Sequence, residues 1–224
     1  MIKKVPTGIP GLDDITDKGI PEGDLILVSG PSGTGKTIMG LQFLLSSKDK
    51  GIFVSFEESL SQIRLTANNF GWDVERAEKD DRVRLLKYDP FKLEDIFEVM
   101  ENNIMEINAR RVVVDSISAL GIYIKDLGDL RRMILQISNM LRKNNCTSLV
   151  ISEILSPKKL SRFGVEEFVT DGVIVLHSIF SDGEYKRGIN VWKLRNSKHS
   201  RKIHPYNITS KGIVIDPRTA IKSL

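Results

Sequence analysis

Gly30-Pro31-Ser32-Gly33-Thr34-Gly35-Lys36-Thr37 is a complete GxxxxGK[ST] stretch, and its surroundings decide the fold. Glycines let a backbone curl round an anion, so that several N–H groups and the N-terminus of the following helix point at phosphate. In such a loop Lys36 brings its charge to the β- and γ-phosphates of a nucleotide and Thr37 offers a hydroxyl to Mg²⁺. Ser32, Gly33, Thr34, Gly35 and Ile38 complete the set expected to touch the nucleotide. The flanks agree with this reading. Asp24-Leu25-Ile26-Leu27-Val28-Ser29 is a short apolar run of the buried parallel-strand kind, and Ile38 to Leu45 has helical spacing. Strand, loop and helix follow in the order that phosphate binding requires.

With 224 residues, 41 % hydrophobic and 28 % charged, the chain has the composition of one α/β domain spanning residues 1–224. No apolar run approaches the roughly 20 residues needed to cross a bilayer. Met1-Ile2-Lys3-Lys4-Val5-Pro6-Thr7 lacks the apolar segment of a secretion signal, so a cytoplasmic location is expected. The single cysteine, Cys146, excludes an intrachain disulfide and a cysteine metal cluster, and it heads a strand-like run as a structural thiol. The net charge of +4 is modest. Lys186, Arg187, Lys193, Arg195, Lys198, Arg201 and Lys202 nevertheless crowd one stretch, which faces either an anion or water.

Outward from the loop, strands are expected at Gly51–Phe56, Val83–Tyr88, Arg111–Asp115 and Thr147–Ser152. Helices are expected at Leu60–Phe70, from about Lys92 to Asn108, and at Leu130–Arg142. This alternation implies a mostly parallel central sheet flanked by helices. Past residue 165 the runs Gly172–Ser178, Lys186–Leu194, Ile203–Ile208 and Gly212–Ile215 predict an antiparallel β extension. The first 23 residues, dense in turn formers, are expected to lead into the first strand across the sheet's edge.

Two carboxylate positions suit nucleotide chemistry. Asp115 closes an apolar strand expected beside the loop, where an acid holds Mg²⁺, directly or through water. Glu57 and Glu58 close another. Adjacent strand residues point to opposite faces, so only one of the pair faces the phosphates unless the backbone bends. Glu57 is read as the group that orients or deprotonates water, and Glu58 as support or a cap for the next helix. Which of the two is the base stays open.

Taken with Thr7-Gly8-Ile9-Pro10-Gly11-Leu12-Asp13, Asn69-Phe70-Gly71-Trp72, Val114-Asp115-Ser116, Glu166-Glu167-Phe168-Val169-Thr170-Asp171-Gly172 and Lys193-Leu194-Arg195-Asn196-Ser197-Lys198-His199, the loop and the acids resemble a single KaiC-like domain of the RecA superfamily. The resemblance covers essentially the whole chain. It implies a RecA-like P-loop ATPase using ATP and Mg²⁺, assembled as a homo-oligomeric, typically hexameric, ring with ATP between subunits. It also implies that Lys193 and Arg195 reach a neighbour's γ-phosphate as trans-acting cations, with Leu194, Ser197 and His199 on the same side. Asn69 matches a family position that contacts nucleotide from the loop side; Thr209 and Ser210 match a pair from across the interface. Ser210 replaces an acidic residue of the family pattern. With one such domain ending at Ile221-Lys222-Ser223-Leu224, a clock autokinase is not expected.

The resemblance leaves three uses for ATP. The first is a nucleotide-driven switch with slow hydrolysis, whose protein partner is unidentified. The second is a protein similar to RadA paralogues that binds single-stranded DNA through two loops, one carrying Tyr123 and Lys125, the other Lys158, Lys159, Arg162 and Phe163; cations with an aromatic suit a phosphate backbone and a stacked base. The third is a sensor that binds ATP without cleaving it, against which the Glu57-Glu58 pair argues.

Overall fold

The computed structural model describes residues 2–89, 96–124, 126–156 and 158–221. Its strands are β1 (Lys4–Val5), β2 (Ile20–Pro21), β3 (Leu25–Gly30), β4 (Gly51–Ser55), β5 (Val83–Lys87), β6 (Arg111–Asp115), β7 (Thr147–Glu153), β8 (Gly172–Ser181), β9 (Glu184–Leu194), β10 (His204–Thr209) and β11 (Gly212–Ile215). Between them lie α1 (Leu12–Ile15), α2 (Lys36–Leu45), α3 (Leu60–Asn69), α4 (Val74–Lys79), α5 (Ile96–Ile107), α6 (Ile117–Tyr123), α7 (Leu127–Lys143) and α8 (Glu166–Val169).

Nine strands form one sheet in the order β11-β10-β9-β8-β3-β7-β6-β4-β5. Strands β8, β3, β7, β6, β4 and β5 run parallel, and β9, β10 and β11 extend the sheet antiparallel, as expected. The parallel strands are apolar throughout because helices cover both faces. Side chains alternate, so Ile26, Val28, Phe53, Val113 and Ile151 join one core with α2, α3 and α4, while Leu27, Ile52, Val54, Val114 and Val150 join the other with α5, α6 and α7. Cys146 is buried, and burial pushes its thiol up to about 12, consistent with an inert structural role.

Several expectations change. The N-terminal segment adds no strand to the main sheet, since β1 and β2 pair only with each other, but it does cross the sheet's edge, where the Pro10 carbonyl accepts from Ile215 N of the edge strand β11 at 3.0 Å. Tyr123, expected in a loop, ends the helix α6, capped by Ser116, whose hydroxyl accepts from Ala119 N at 3.1 Å. The start of the helix expected near Lys92 lies outside the described residues. Short helices α1, α4 and α8 were not anticipated, since four to six residues carry too little periodicity to register.

At the N-terminal edge of the sheet Asp24 packs near Asp171. Burial, and then the charge of Asp171, push the Asp24 carboxyl up to about 6, against the opposing pull of Arg142 and Arg195. A carboxyl that binds its proton more tightly folded than unfolded stabilises the fold at low pH, and that stability is lost as pH rises through about 6. Asp24→Asn is therefore expected to raise Tm by a few degrees at about pH 8, with the gain shrinking as pH falls below 6 and closing only near the ordinary carboxylate value of 3.8; calorimetry from pH 8 down to about pH 4 checks it, and a lower Tm at pH 8 would contradict it.

Candidate functional site

The loop leaves the end of β3 and feeds α2. Gly33 and Gly35 adopt φ of 77° and 89°, a region open to glycine and costly for other residues. The loop is braced from outside the motif: Tyr206, on β10, donates its hydroxyl to the Thr34 carbonyl at 2.6 Å, and Ile208 packs against Gly35. Within the loop, Lys36 Nζ and Thr34 Oγ1 both donate to the Pro31 carbonyl, at 2.9 and 2.8 Å.

Asp115 does not end the strand beside β3. That strand is β7, and β6 lies one further out. Asp115 still reaches the loop because α2 crosses the sheet. Gly40 permits the crossing: a methyl group there would come within 2.8 Å of Val113. The first turn of α2 thereby sits over the end of β6, and Thr37 Oγ1 donates to Asp115 Oδ2 at 2.6 Å. The Asp115–Ser116 peptide is cis.

Both Glu57 and Glu58 line the cavity, because the chain has left β4 before reaching them. The bend is held by Phe56 N donating to the Asp115 carbonyl at 2.7 Å and Ser55 Oγ donating to the Glu58 carbonyl at 2.8 Å. Glu58 is not the cap of α3; the Ser59 hydroxyl is, accepting from Gln62 N. Glu57 accepts a hydrogen bond from Ser116 Oγ at 2.7 Å, and Ser116 Oγ lies 2.8 Å from Ser118 Oγ. Ser118 Oγ in turn accepts from the backbone of Glu153 at 3.4 Å.

Glu153 is the acid that the sequence reading missed. It closes β7 as Asp115 closes β6, an apolar run ending in a carboxylate, and the register pairs it with Gly30. The cavity of about 340 Å³ is thus lined by Glu57, Glu58, Asp115 and Glu153 against the single ammonium of Lys36. Burial, then the charges of Glu58 and Glu57, push Asp115 up to about 6, although the Thr37 hydrogen bond and Lys36 favour its ionised form. Burial lowers the affinity of Lys36 for its proton, and Glu153, Asp115 and Glu57 oppose that shift.

The oxygen-only donor set suits a hard divalent cation. Among the described residues no three acidic, histidine or cysteine side chains converge to hold a metal, so a Mg²⁺ held by Thr37 and Asp115 would draw its other ligands from water and phosphate oxygens.

The remaining candidates are elsewhere. Arg195 N donates to the Asp171 carbonyl and Leu25 N to the Asp171 carboxylate, so Arg195 stands level with the start of β3. Roughly 16 Å of strand separate that level from Gly30, and the Lys193 ammonium is held by the carbonyls of Glu167 and Thr170 at α8. Leu194 cannot offer its side chain to a ligand, being buried in the core against Gly172. Lys4 Nζ donates to Ser197 Oγ at 2.6 Å, and His199 Nδ1 lies 3.0 Å from the Ser200 carbonyl. Asn69 is exposed at the end of α3 and does not line the cavity; Thr66, one turn earlier, does. Thr209 closes the β10–β11 turn on the Gly212 carbonyl, with Ser210 exposed, and Gly212 packs against Trp72 and Gln42 of the same chain.

Of the two loops read for DNA, Lys125 lies outside the described residues and Tyr123 is 43 % exposed at the end of α6. Lys158 and Lys159 are exposed. Arg162 and Phe163 are partly buried and have partners within the chain. Arg162 Nη1 pairs with Glu153 Oε2 at 2.5 Å, and Phe163 packs over Gly121, where a methyl group would approach its ring within 2.3 Å. No described helix is long and apolar enough to cross a membrane.

Comparison with known proteins gives the family and the fold. The KaiC ATPase family model matches residues 5–220. A UPF0273 protein of Pyrococcus furiosus is 40 % identical over 243 aligned positions, covering 99 % of this chain and 97 % of its own. The circadian clock oscillator protein KaiC of a Nostoc species is 35 % identical over 238 positions, covering 99 % of this chain and 46 % of its own. The crystal structure of a KaiC-like protein from Pyrococcus horikoshii shares the fold at a TM-score of 0.90 and 33 % identity, over 97 % of this chain and all of that one. With a match running nearly end to end and a fold shared at that level, the chain belongs to the KaiC ATPase family.

Proposed function

We propose that the protein is an oligomeric, Mg²⁺-dependent ATPase whose slow hydrolysis acts as a nucleotide-driven switch, with each ATP held between two subunits. The observation that carries this reading is the charge imbalance of the cavity. Even with Glu153 paired to Arg162, three further carboxylates surround one lysine, yet the triphosphate to be bound is itself strongly negative. The further cations of the family pattern, Lys193 and Arg195, stand at the opposite edge of the sheet and cannot serve their own loop. A ring in which that edge of one subunit meets the loop of the next supplies them.

Each residue then has a role. The loop N–H groups and Lys36 hold the β- and γ-phosphates. Bound Mg²⁺ would neutralise charge on those phosphates, with Thr37 and Asp115 as its protein contacts. Glu57, fixed by Ser116, orients the attacking water and accepts its proton, while Glu58 adds negative potential beside it. Lys193 and Arg195 of the neighbour stabilise the charge that develops on the transferred phosphoryl group.

Two outcomes are expected. Glu57→Gln lowers kcat by about a hundredfold or more and leaves binding of a fluorescent ATP analogue nearly unchanged; turnover at the wild-type rate would remove Glu57 from this role and pass it to Glu58. Arg195→Ala keeps nucleotide binding and loses turnover, and mixing it with Lys36→Ala chains restores part of the activity. Absence of any recovery in mixtures shown to co-assemble would refute the intersubunit site.

A further inference from the structure

Lys193 and Arg195 do not dangle from the end of β9; the turn entering β8 grips both. Lys193 Nζ donates to the carbonyls of Glu167 and Thr170, each at 2.6 Å, which uses two of its three N–H donors and leaves one. Arg195 Nη1 meets Asp171 Oδ1 at 3.3 Å and Nη2 meets the Phe168 carbonyl at 3.4 Å, while half of the side chain remains in solvent. The Asp171 carboxylate is only 6 % exposed, and its other oxygen accepts from Leu25 N at 3.1 Å and Arg142 Nη2 at 2.9 Å.

The platform is itself anchored. The short helix α8 is held by the fully buried Glu166, whose carboxylate accepts from Ser152 Oγ at 3.0 Å, Ser161 Oγ at 2.7 Å and the backbone N–H groups of Phe163 and Val165.

We propose that Asp171 is a positioning residue for catalysis in the neighbouring subunit: together with the carbonyls of Glu167, Phe168 and Thr170 it fixes Lys193 and Arg195 in the orientation that meets the neighbour's triphosphate. This rests on the reading of those two residues as intersubunit cations. A flexible lysine and arginine would otherwise have to be ordered at each encounter, whereas cations already oriented stabilise developing charge without reorganisation. The charge of Asp171 has a second effect. Burial and the adjacent Arg195 press the Lys193 ammonium toward neutrality, and Asp171 and Glu167 oppose that pressure.

The test measures steady-state ATP turnover of the full chain with Asp171→Asn, beside Arg142→Ala and Arg195→Ala. Asp171→Asn is expected to lower kcat about tenfold with KM for ATP little changed, and Lys36→Ala chains mixed into the same assemblies to restore part of the loss. Arg142→Ala, which removes the other ion pair of Asp171 without touching the cations, is expected to keep kcat within about twofold. In an Arg195→Ala background the Asp171→Asn loss should shrink to whatever passes through Lys193. Recovery for Arg195→Ala but none for Asp171→Asn would overturn the proposal and leave the intersubunit site standing. An equal loss in Arg142→Ala would also overturn it, by showing that stability of the edge rather than cation placement is at stake. No recovery for either variant would remove the intersubunit site and the proposal with it. If Asp171→Asn does not fold, as circular dichroism would reveal, Asp171→Glu keeps the charge and moves it by one methylene, and the same comparisons apply to it.

Discussion

The length of a parallel strand is the constraint on which this molecule turns. A parallel sheet sends every loop that follows a strand to one edge and every loop that precedes one to the other. The phosphate loop after Gly30 and the acids at the ends of β4, β6 and β7 therefore share an edge. The segment entering β8 and the cations at the end of the antiparallel β9 share the opposite edge. No side-chain rotation spans the distance between them. Under the proposed intersubunit reading, one chain carries two halves of a nucleotide site facing away from each other, and a head-to-tail neighbour joins them.

At the loop edge the acids are linked as well as adjacent. Thr37 bonds Asp115, Ser116 bonds Glu57, and Ser118 sits between Ser116 and the backbone of Glu153, whose carboxylate pairs with Arg162. Such a network fixes the positions of negative groups that would otherwise repel one another apart. At the opposite edge Asp171 and the carbonyls around α8 organise positive groups in the same manner. The two edges are also joined by contact: Ser152, which bonds the Glu166 that anchors α8, directly precedes Glu153 in the cavity wall.

Much of this was legible in the sequence, for uneven reasons. The loop and Asp115 could be read because phosphate chemistry admits few residue types at fixed spacing, and the alternation of runs gave the layers. Strand order could not be read. The apolar runs of β6 and β7 look alike, so the sequence places the strand of Asp115 beside that of the loop, whereas β7 intervenes and the crossing of α2 over Gly40 brings Asp115 to Thr37. Glu153 carried the same signal as Asp115 and was missed because the strand was ended one residue early, at Ser152. The internal uses of Arg162, Phe163 and Leu194 depend on contacts with Glu153, Gly121 and Gly172, which no local pattern encodes. Cation and aromatic content alone does not distinguish a DNA-binding loop from one whose side chains are used inside the fold.

The dependence of specific activity on chain concentration tests the intersubunit site most directly, with assembly followed in the same samples by analytical ultracentrifugation in ATP and Mg²⁺. The account predicts that turnover per chain rises with the assembled fraction and falls toward zero for the monomer. A monomer that hydrolyses ATP at the full rate per chain would contradict it.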